Sequence, residues 1–471
     1  MAIIFVMSTE LKTENPLGYK NVGKLLSGFA IPSIIAMVIS SLYNVVDQIF
    51  IGQKVGYLGN AATNVAFPLT TICMAITLCI GIGTAARYSL YLGRKEEDKA
   101  AKVVGNSLCM MVLFGSLYAI IAEIFLPNFL VWFGATESIM PYAMDYTRIV
   151  IIGMPLIVVM NGMSNVARAD GNPMYSMTSM LVGAVINTIL DPIFLFVFEW
   201  GVAGAAWATV IGQIASCVYA LLYLKKIKRT KVKREYYRLS LTQMRKTAVM
   251  GMSNGLTQLA ITAVQIIMNN SLVHYGALSI YGSDIPLAAA GIVMKVNGIV
   301  LSVIIGLVQG MQPIIGFNYG ARKYDRVKAT YALAIKVELI VTLIGVFFFE
   351  FFPKQVLSIF GDSEGGLYIE FACLFMRIFL ILLPLGGVQM ISSNLFSAIG
   401  KPLLGTLLSL SRQVFFFIPL VLIMGKFLGL NGIMYAAPGS DILAFTVVMF
   451  FIVKEFRAMS KLESAQSYDE E

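Results

Sequence analysis

GTAARYSLYLG (Gly83 to Gly93) and GMQPIIGFNYG (Gly310 to Gly320) are the two stretches from which the fold follows. Each closes a long apolar run with a glycine and passes at once into a charged cluster, RKEED after the first and ARKYD after the second, at an offset of 227 residues. Further on, YTRIVIIGMP (Tyr146 to Pro155) answers LFMRIFLILLP at an offset of 229, pairing Arg148 with Arg377 and Pro155 with Pro384. RADGNP and SAIGKP keep that offset, pairing Gly171 with Gly400 and Pro173 with Pro402. Chance gives one such match, not several in order at nearly constant spacing. The chain is therefore expected to be a duplicated unit, the plan on which many transporters are built.

Composition fixes the surroundings of that unit. Of 471 residues, 58% are hydrophobic and 13% charged, against the roughly 25% charged of an ordinary soluble domain. Runs without Lys, Arg, Asp or Glu extend over 25–46, 55–86, 103–122, 149–167, 171–190, 200–224, 247–283 and 296–321, each near or above the roughly 20 residues a helix needs to cross a bilayer. About four more spans fit the C-terminal third, where Arg377, Arg412, Lys426 and Asp441 interrupt the pattern. The reading is an all-α integral membrane protein of about twelve transmembrane helices in two six-helix lobes, because lipid offers the backbone no other partners. An even number of helices in each half makes the repeats parallel. The expected divisions are a tail over 1–22, an N-lobe over 23–224, a basic linker over 225–246, a C-lobe over 247–456 and a second tail over 457–471.

The net charge of +9 is not a nucleic-acid signal. The block KKIKRTKVKREYYRLS (Lys225 to Ser240) and its neighbours lie on the side of the two tails, whereas the opposite loops carry only Lys54, Lys354 and Lys426. This asymmetry places both termini in the cytoplasm and the basic linker against anionic lipid. The five cysteines fall inside spans without metal-ligand spacing, so they read as packing residues. His274, the only histidine, has no nucleophile patterned around it, which argues against a membrane enzyme.

Asp47, in SLYNVVDQIF, is the first acid after more than thirty residues without one. Asp191 lies in the fifth predicted helix within NTILDPIF, four residues after Asn187, so one helix face presents an amide and a carboxylate. Pro192 follows and should distort the helix there. Thr209 belongs to the sixth helix, in a stretch of small residues that permits close packing. A carboxylate at a helix centre costs about 2.5–3.5 kcal/mol on insertion scales, so each acid calls for compensation or a function. Facing each other, the two acids make a site that binds and releases a proton. Together with Asn187 and Thr209 they equally make an all-oxygen shell for Na+. The second half has no matching acids; its first helix offers Gln258, Gln265, Asn269 and Asn270. Tyr43, Asn44, Gln265, Lys295 and Arg412 are the expected substrate-cavity residues. Asp441 is expected to pair with Lys295 or Arg412, and Arg148 and Arg377 with Asp145 and Glu370.

LYNVVDQIFIG, RADGNP, NTILDPIF and MQPIIGFNYGARKYDRV together resemble the multidrug and toxic compound extrusion (MATE) transporters, in particular their bacterial DinF-like and MepA-like branch. The resemblance runs over residues 20–458. It implies a V-shaped fold of two six-helix lobes in the cytoplasmic membrane, exporting mostly cationic amphipathic compounds in exchange for H+ or Na+. By position, Asp47 and Asp191 match the family's N-lobe aspartates, and Asn187 and Thr209 their polar companions. The acids that some relatives carry in helices 7 and 10 are missing here. No cofactor beyond the coupling ion is implied; the partners are small amphipathic molecules and membrane lipid, and the chain is expected to work as a monomer. The competing function is a lipid-linked precursor flippase of the same superfamily, which usually has additional helices. A channel would show a repeated filter, and none is present.

Overall fold

The computed structural model describes residues 16–469 except 56, 134, 136, 138, 228, 229, 231, 283 and 359–365, and within its helices not the side chains of 43–45, 48, 49, 52, 57, 58, 60, 61, 284 and 465–469. Among the described residues there is no strand. The long helices are α1 (Val22–Val55), α2 (Tyr57–Gly93), α3 (Glu97–Ile124), α4 (Met140–Ala169), α5 (Pro173–Pro192), α6 (Gly201–Leu222), α7 (Leu241–Ala277), α8 (Asp284–Gly320) and α9 (Tyr324–Phe351). They are followed by α10 (Leu367–Leu380 and Leu383–Ala398), α11 (Pro402–Leu410, continuing to Leu428) and α12 (Leu430–Asp469). Eleven of the described helices are long and apolar enough to cross a membrane; the two pieces of α10, bent by 44°, make a twelfth. Ile120, Leu343 and Phe427 are among the many large apolar side chains left exposed on the outside, as a lipid-facing surface requires. The chain is a multi-pass membrane protein.

The duplication extends to backbone conformation. Gly171 and Gly400 both take positive φ, 95° and 87°, where the fourth and tenth helices end. Lys95 and Arg322, separated by the offset of the opening repeat, both take positive φ, 61° and 57°, a conformation that costs a residue with a Cβ. Arg148 and Arg377 are likewise equivalent, but their expected partners are not the ones they find. Arg148 pairs with Glu123 of α3 at 3.2 Å, not with Asp145, and Arg377 Nε donates to the carbonyl of Glu350 of α9 at 3.0 Å rather than to Glu370. Both partners are end residues of the preceding helix, brought alongside by antiparallel packing. Asp441 does pair with Arg412, across α11 and α12.

The lobes meet along α1 against α8 and α2 against α7. One end of this seam lies on the side bearing the chain ends, called here the terminal side. There α2 and α8 come together at Gly93 and Gly320, where a Cβ on either would overlap a carbonyl of the other helix. Farther along, Ser41 and Ser302 join α1 to α8 at 2.7 Å. The main apolar cluster draws on both lobes. Toward the opposite side the clusters separate: Ile51, Leu195, Val202 and Ala205 in one lobe, and a group including Met268, Phe371 and Phe417 in the other. The lobes are thus cemented at one end and distinct at the other.

Parts of the expected N-terminal tail and of the basic linker are docked on the helices. Residues 1–15 of the N-terminal tail lie outside the described residues, but the turn that follows sits on the second lobe: Arg326 donates to the carbonyls of Leu17 and Lys20 at 3.0 and 2.6 Å, and Lys323 to that of Gly18 at 3.0 Å. In the basic linker, Tyr236 is buried and bonds Asp98 of α3, while Asn106 donates to the carbonyl of Arg238 at 2.7 Å.

Candidate functional site

The site begins where α5 ends. Pro192 has no backbone donor, and the chain passes from α5 into a π-helical turn over Ile193–Val197. One residue before that proline, Asp191 is buried, 1% exposed, and directed inward toward α1 and α6. Asn187, one turn earlier, donates its amide to Asp191 Oδ1 at 3.1 Å and lies 3.2 Å from Thr209 Oγ1 of α6. The Asp47 carboxyl of α1 lies within reach of Asp191. The four residues singled out in the sequence are therefore neighbours.

Their oxygens are not all used. Asp47 Oδ1, Asn187 Oδ1 and Asp191 Oδ2 are buried with no hydrogen-bond partner among the described residues. A buried acceptor left open is costly, on the order of 1–3 kcal/mol and more when charged, and two adjacent carboxylates repel each other. The arrangement is thus suited to taking up a proton or a hard cation. Ile51, Leu195, Val202 and Ala205 cover it on the side away from the chain ends, and a Lys54–Glu199 bridge of 2.7 Å ties the end of α1 to the turn between α5 and α6. No group of three or more His, Cys, Asp or Glu with metal-binding geometry occurs among the described residues.

Next to the acids a cavity of about 270 Å³ runs through the first lobe toward the terminal side. Asn187 and Thr209 border it at one end and Arg168 at the other, with Asn161, Asn165 and Gln213 between. Gln258 and Gln309 of the second lobe also reach it. Three residues expected at a cavity lie elsewhere. Gln265 and Lys295 are exposed, about two and three turns along their helices from the lining residues Gln258 and Ile305. Arg412 is held by Asp441. The side chains of Tyr43 and Asn44 lie outside the described residues.

Arg168 and Glu338 are among the buried charges that the sequence did not single out. Arg168 is 4% exposed and Glu338 of α9 is fully buried, with both carboxyl oxygens unpartnered among the described residues. Asn161, Asn165 and Arg168 recur at helical spacing on one face of α4, a pattern that the sequence itself carries.

Over 440 residues the chain is 25% identical to the multidrug export protein MepA of Staphylococcus aureus, covering 91% of this chain and 93% of that protein. It is 26% identical over 398 residues to the probable multidrug resistance protein YoeA of Bacillus subtilis, covering 83% and 84%. Among solved structures, a MATE transporter in complex with MaL6 superposes with a TM-score of 0.87 at 23% identity, covering 95% of this chain and 99% of that one. A MOP-superfamily transporter from Pyrococcus furiosus gives 0.87 at 22%, covering 94% and 98%. The MatE family model matches residues 32–193 and again 254–423, once in each half. The chain belongs to the MatE family, that of the MATE transporters.

Proposed function

We propose that this transporter is a cation-coupled antiporter, not an enzyme, that exports amphipathic and mostly cationic small molecules from the cytoplasm. The observation that carries the reading is the carboxyl pair Asp47–Asp191, buried beside a polar cavity with three acceptor oxygens left open. A coupling ion that neutralises the pair and a cationic substrate drawn to it compete for the same negative charge. That competition is exchange, and it moves the lobes only by the differential affinity of each ligand for the two arrangements. The multidrug export named for MepA supports the substrate class.

The lobes, joined at the terminal side and separate at the other, support alternating access with this arrangement closed toward the cytoplasm. The basic linker and tails support a cytoplasmic position for that side. The whole path lies within one chain, consistent with a working monomer. Asn187 turns its amide nitrogen toward Asp191 and Thr209, which favours a proton as the coupling ion; the open oxygens favour Na+ as the second reading. A cavity of about 270 Å³ is small for a lipid-linked precursor, which counts against a flippase. The test is efflux of a fluorescent cation by purified protein in liposomes under an H+ gradient and, separately, a Na+ gradient. One gradient should drive export, and the drive should vanish in Asp47→Asn. Flux indifferent to both gradients would overturn the reading.

A further inference from the structure

Arg168 is a buried cation that faces no anion among the described residues. It lies in the last turn of α4 and borders the cavity. Its guanidinium has only neutral partners among the described residues: Nη1 donates to Asn165 Oδ1 at 3.2 Å and Nη2 to Ser176 Oγ at 3.0 Å, while Nε has none. Asp170, the nearest acid in sequence, accepts the hydroxyls of Tyr88 and Tyr223 at 2.7 and 2.8 Å. A charge buried in this way is expensive unless something pairs with it, and within membrane proteins such residues line substrate paths.

A scaffold role is the competing explanation, because a cation suits the C-terminal end of α4. The duplication supplies the control. The equivalent of Arg168 is Ser397, fully buried at the end of α10, and the equivalent of Ser176 is Gly405. A Cβ on Gly405 would lie 2.6 Å from Ser397 Oγ, so the two positions face each other in both lobes. The second lobe builds the same helix ending with a neutral serine, and the fold therefore has no need of a guanidinium there. Ser176 also belongs to the first turn of α5, whose positive end adds to the charge on Arg168 instead of offsetting it.

We propose that Arg168 is the anion-binding end of the cavity, receiving the carboxylate of a zwitterionic amphiphile whose cationic group lies toward Asp47 and Asp191. The proposal rests on the reading of this cavity as the substrate chamber. Ser176 and Asn187 are about 16 Å apart along the axis of α5, a span that one drug-sized molecule bridges. The open Nε supplies a charge-assisted donor to the carboxylate, and the planar fork of arginine suits its two oxygens.

The experiment compares two ligands of nearly one shape: a fluorescent aminoacridine bearing a carboxylate, zwitterionic at neutral pH, and its methyl ester, a simple cation. Binding to the purified full-length protein is followed by fluorescence. The wild type should hold the acid about 10- to 100-fold more tightly than the ester, the range of a buried charge-assisted contact. Arg168→Gln should erase the preference of acid over ester, whereas Arg168→Lys should retain part of it. Equal or tighter ester binding by the wild type overturns the proposal while leaving the chamber reading standing, and so does a preference that survives Arg168→Gln. Binding of neither dye overturns both. The wild-type comparison needs no variant, so a poorly folding Arg168→Gln does not weaken the test.

Discussion

Arg412 and Asp441 stand, at the offset of 229, where the first lobe has Gly183 and Gly212. In the first lobe those glycines let α5 and α6 touch: a Cβ on Gly212 would lie 2.7 Å from the carbonyl of Gly183. In the second lobe an ion pair joins α11 to α12 instead. The pair is unequally buried, with the Asp441 side chain 2% exposed and that of Arg412 27%. Removing the arginine strands a carboxylate that water does not reach, at a cost of about 3–5 kcal/mol. Asp441→Asn leaves a guanidinium that water partly reaches, for about 1–3 kcal/mol. Replacing both, as Arg412→Met with Asp441→Leu, should restore most of the loss, because an apolar pair of similar volume costs no desolvation. A chain of this length has an unfolding entropy of about 1 kcal/mol/K, so Tm should fall by about 3–5 °C, about 1–3 °C and close to zero in the three cases. Thermal shift followed by size-exclusion in detergent reads all three, and dye efflux should be unchanged in the double variant. Equal, negligible shifts for both single variants would refute the reasoning, as would a double variant less stable than Arg412→Ala.

Other consequences can be checked in the same preparations. Asp47→Asn should run as a monodisperse, folded protein yet lose ion-driven efflux; a well-expressed variant with full coupled transport would remove Asp47 from the site. Glu338→Met, which installs the residue of the equivalent position Met111, should raise Tm by about 1–3 °C, because a carboxyl with no partner is removed from full burial; a lower Tm would show that the carboxyl is compensated after all. Gly93→Leu should push α2 away from α8 at their closest approach, an overpacking of about 1–3 kcal/mol. Spin labels at Lys95 and Arg322 should then report a longer distance, and an unchanged one would mean that the lobes do not close there.

The fold is legible in the sequence because duplication repeats its signals. Glycines and prolines recurring at offsets of 227 and 229 disclose the halves, and both offsets reappear as paired positive φ values. What stays hidden depends on packing between distant segments. Pro155 lies inside an unbroken α4, while its equivalent Pro384 opens the second piece of a helix bent by 44°; the residue is the same and its neighbours decide the outcome. The acids nearest Arg148 and Arg377 along their own helices are not their partners, because antiparallel packing supplies Glu123 and Glu350 from the helix before. Asp47 and Asp191 can be read because an acid inside an apolar run stands out. Arg168 and Glu338 sit at the edges of such runs, beside Asp170 and Lys336, where a charge looks like the membrane boundary.

The divergence of the halves says more about mechanism than their likeness does. Asn187, Asp191 and Thr209 correspond to Phe416, Leu420 and Pro438, Arg168 to Ser397, and the Gly183–Gly212 contact to the Arg412–Asp441 pair. Around the cavity the first lobe carries polar groups where the second has Phe416, Leu420 and Pro438 or the Arg412–Asp441 cross-link; Glu338, opposite Met111, runs the other way. A cavity lined by open donors and acceptors lowers the stability of the element that contains it, since its atoms lack partners until a ligand supplies them. At Phe416, Leu420, Pro438 and the Arg412–Asp441 pair the second lobe has no such deficit, and its open buried oxygens, those of Glu338 and Ser397 among them, lie at other positions. On the proposed transport reading, the stretch around Asp47, Asn187, Asp191 and Thr209 is therefore the part expected to answer to an ion or substrate, because its second-lobe counterparts Phe416, Leu420 and Pro438 offer no open donors or acceptors.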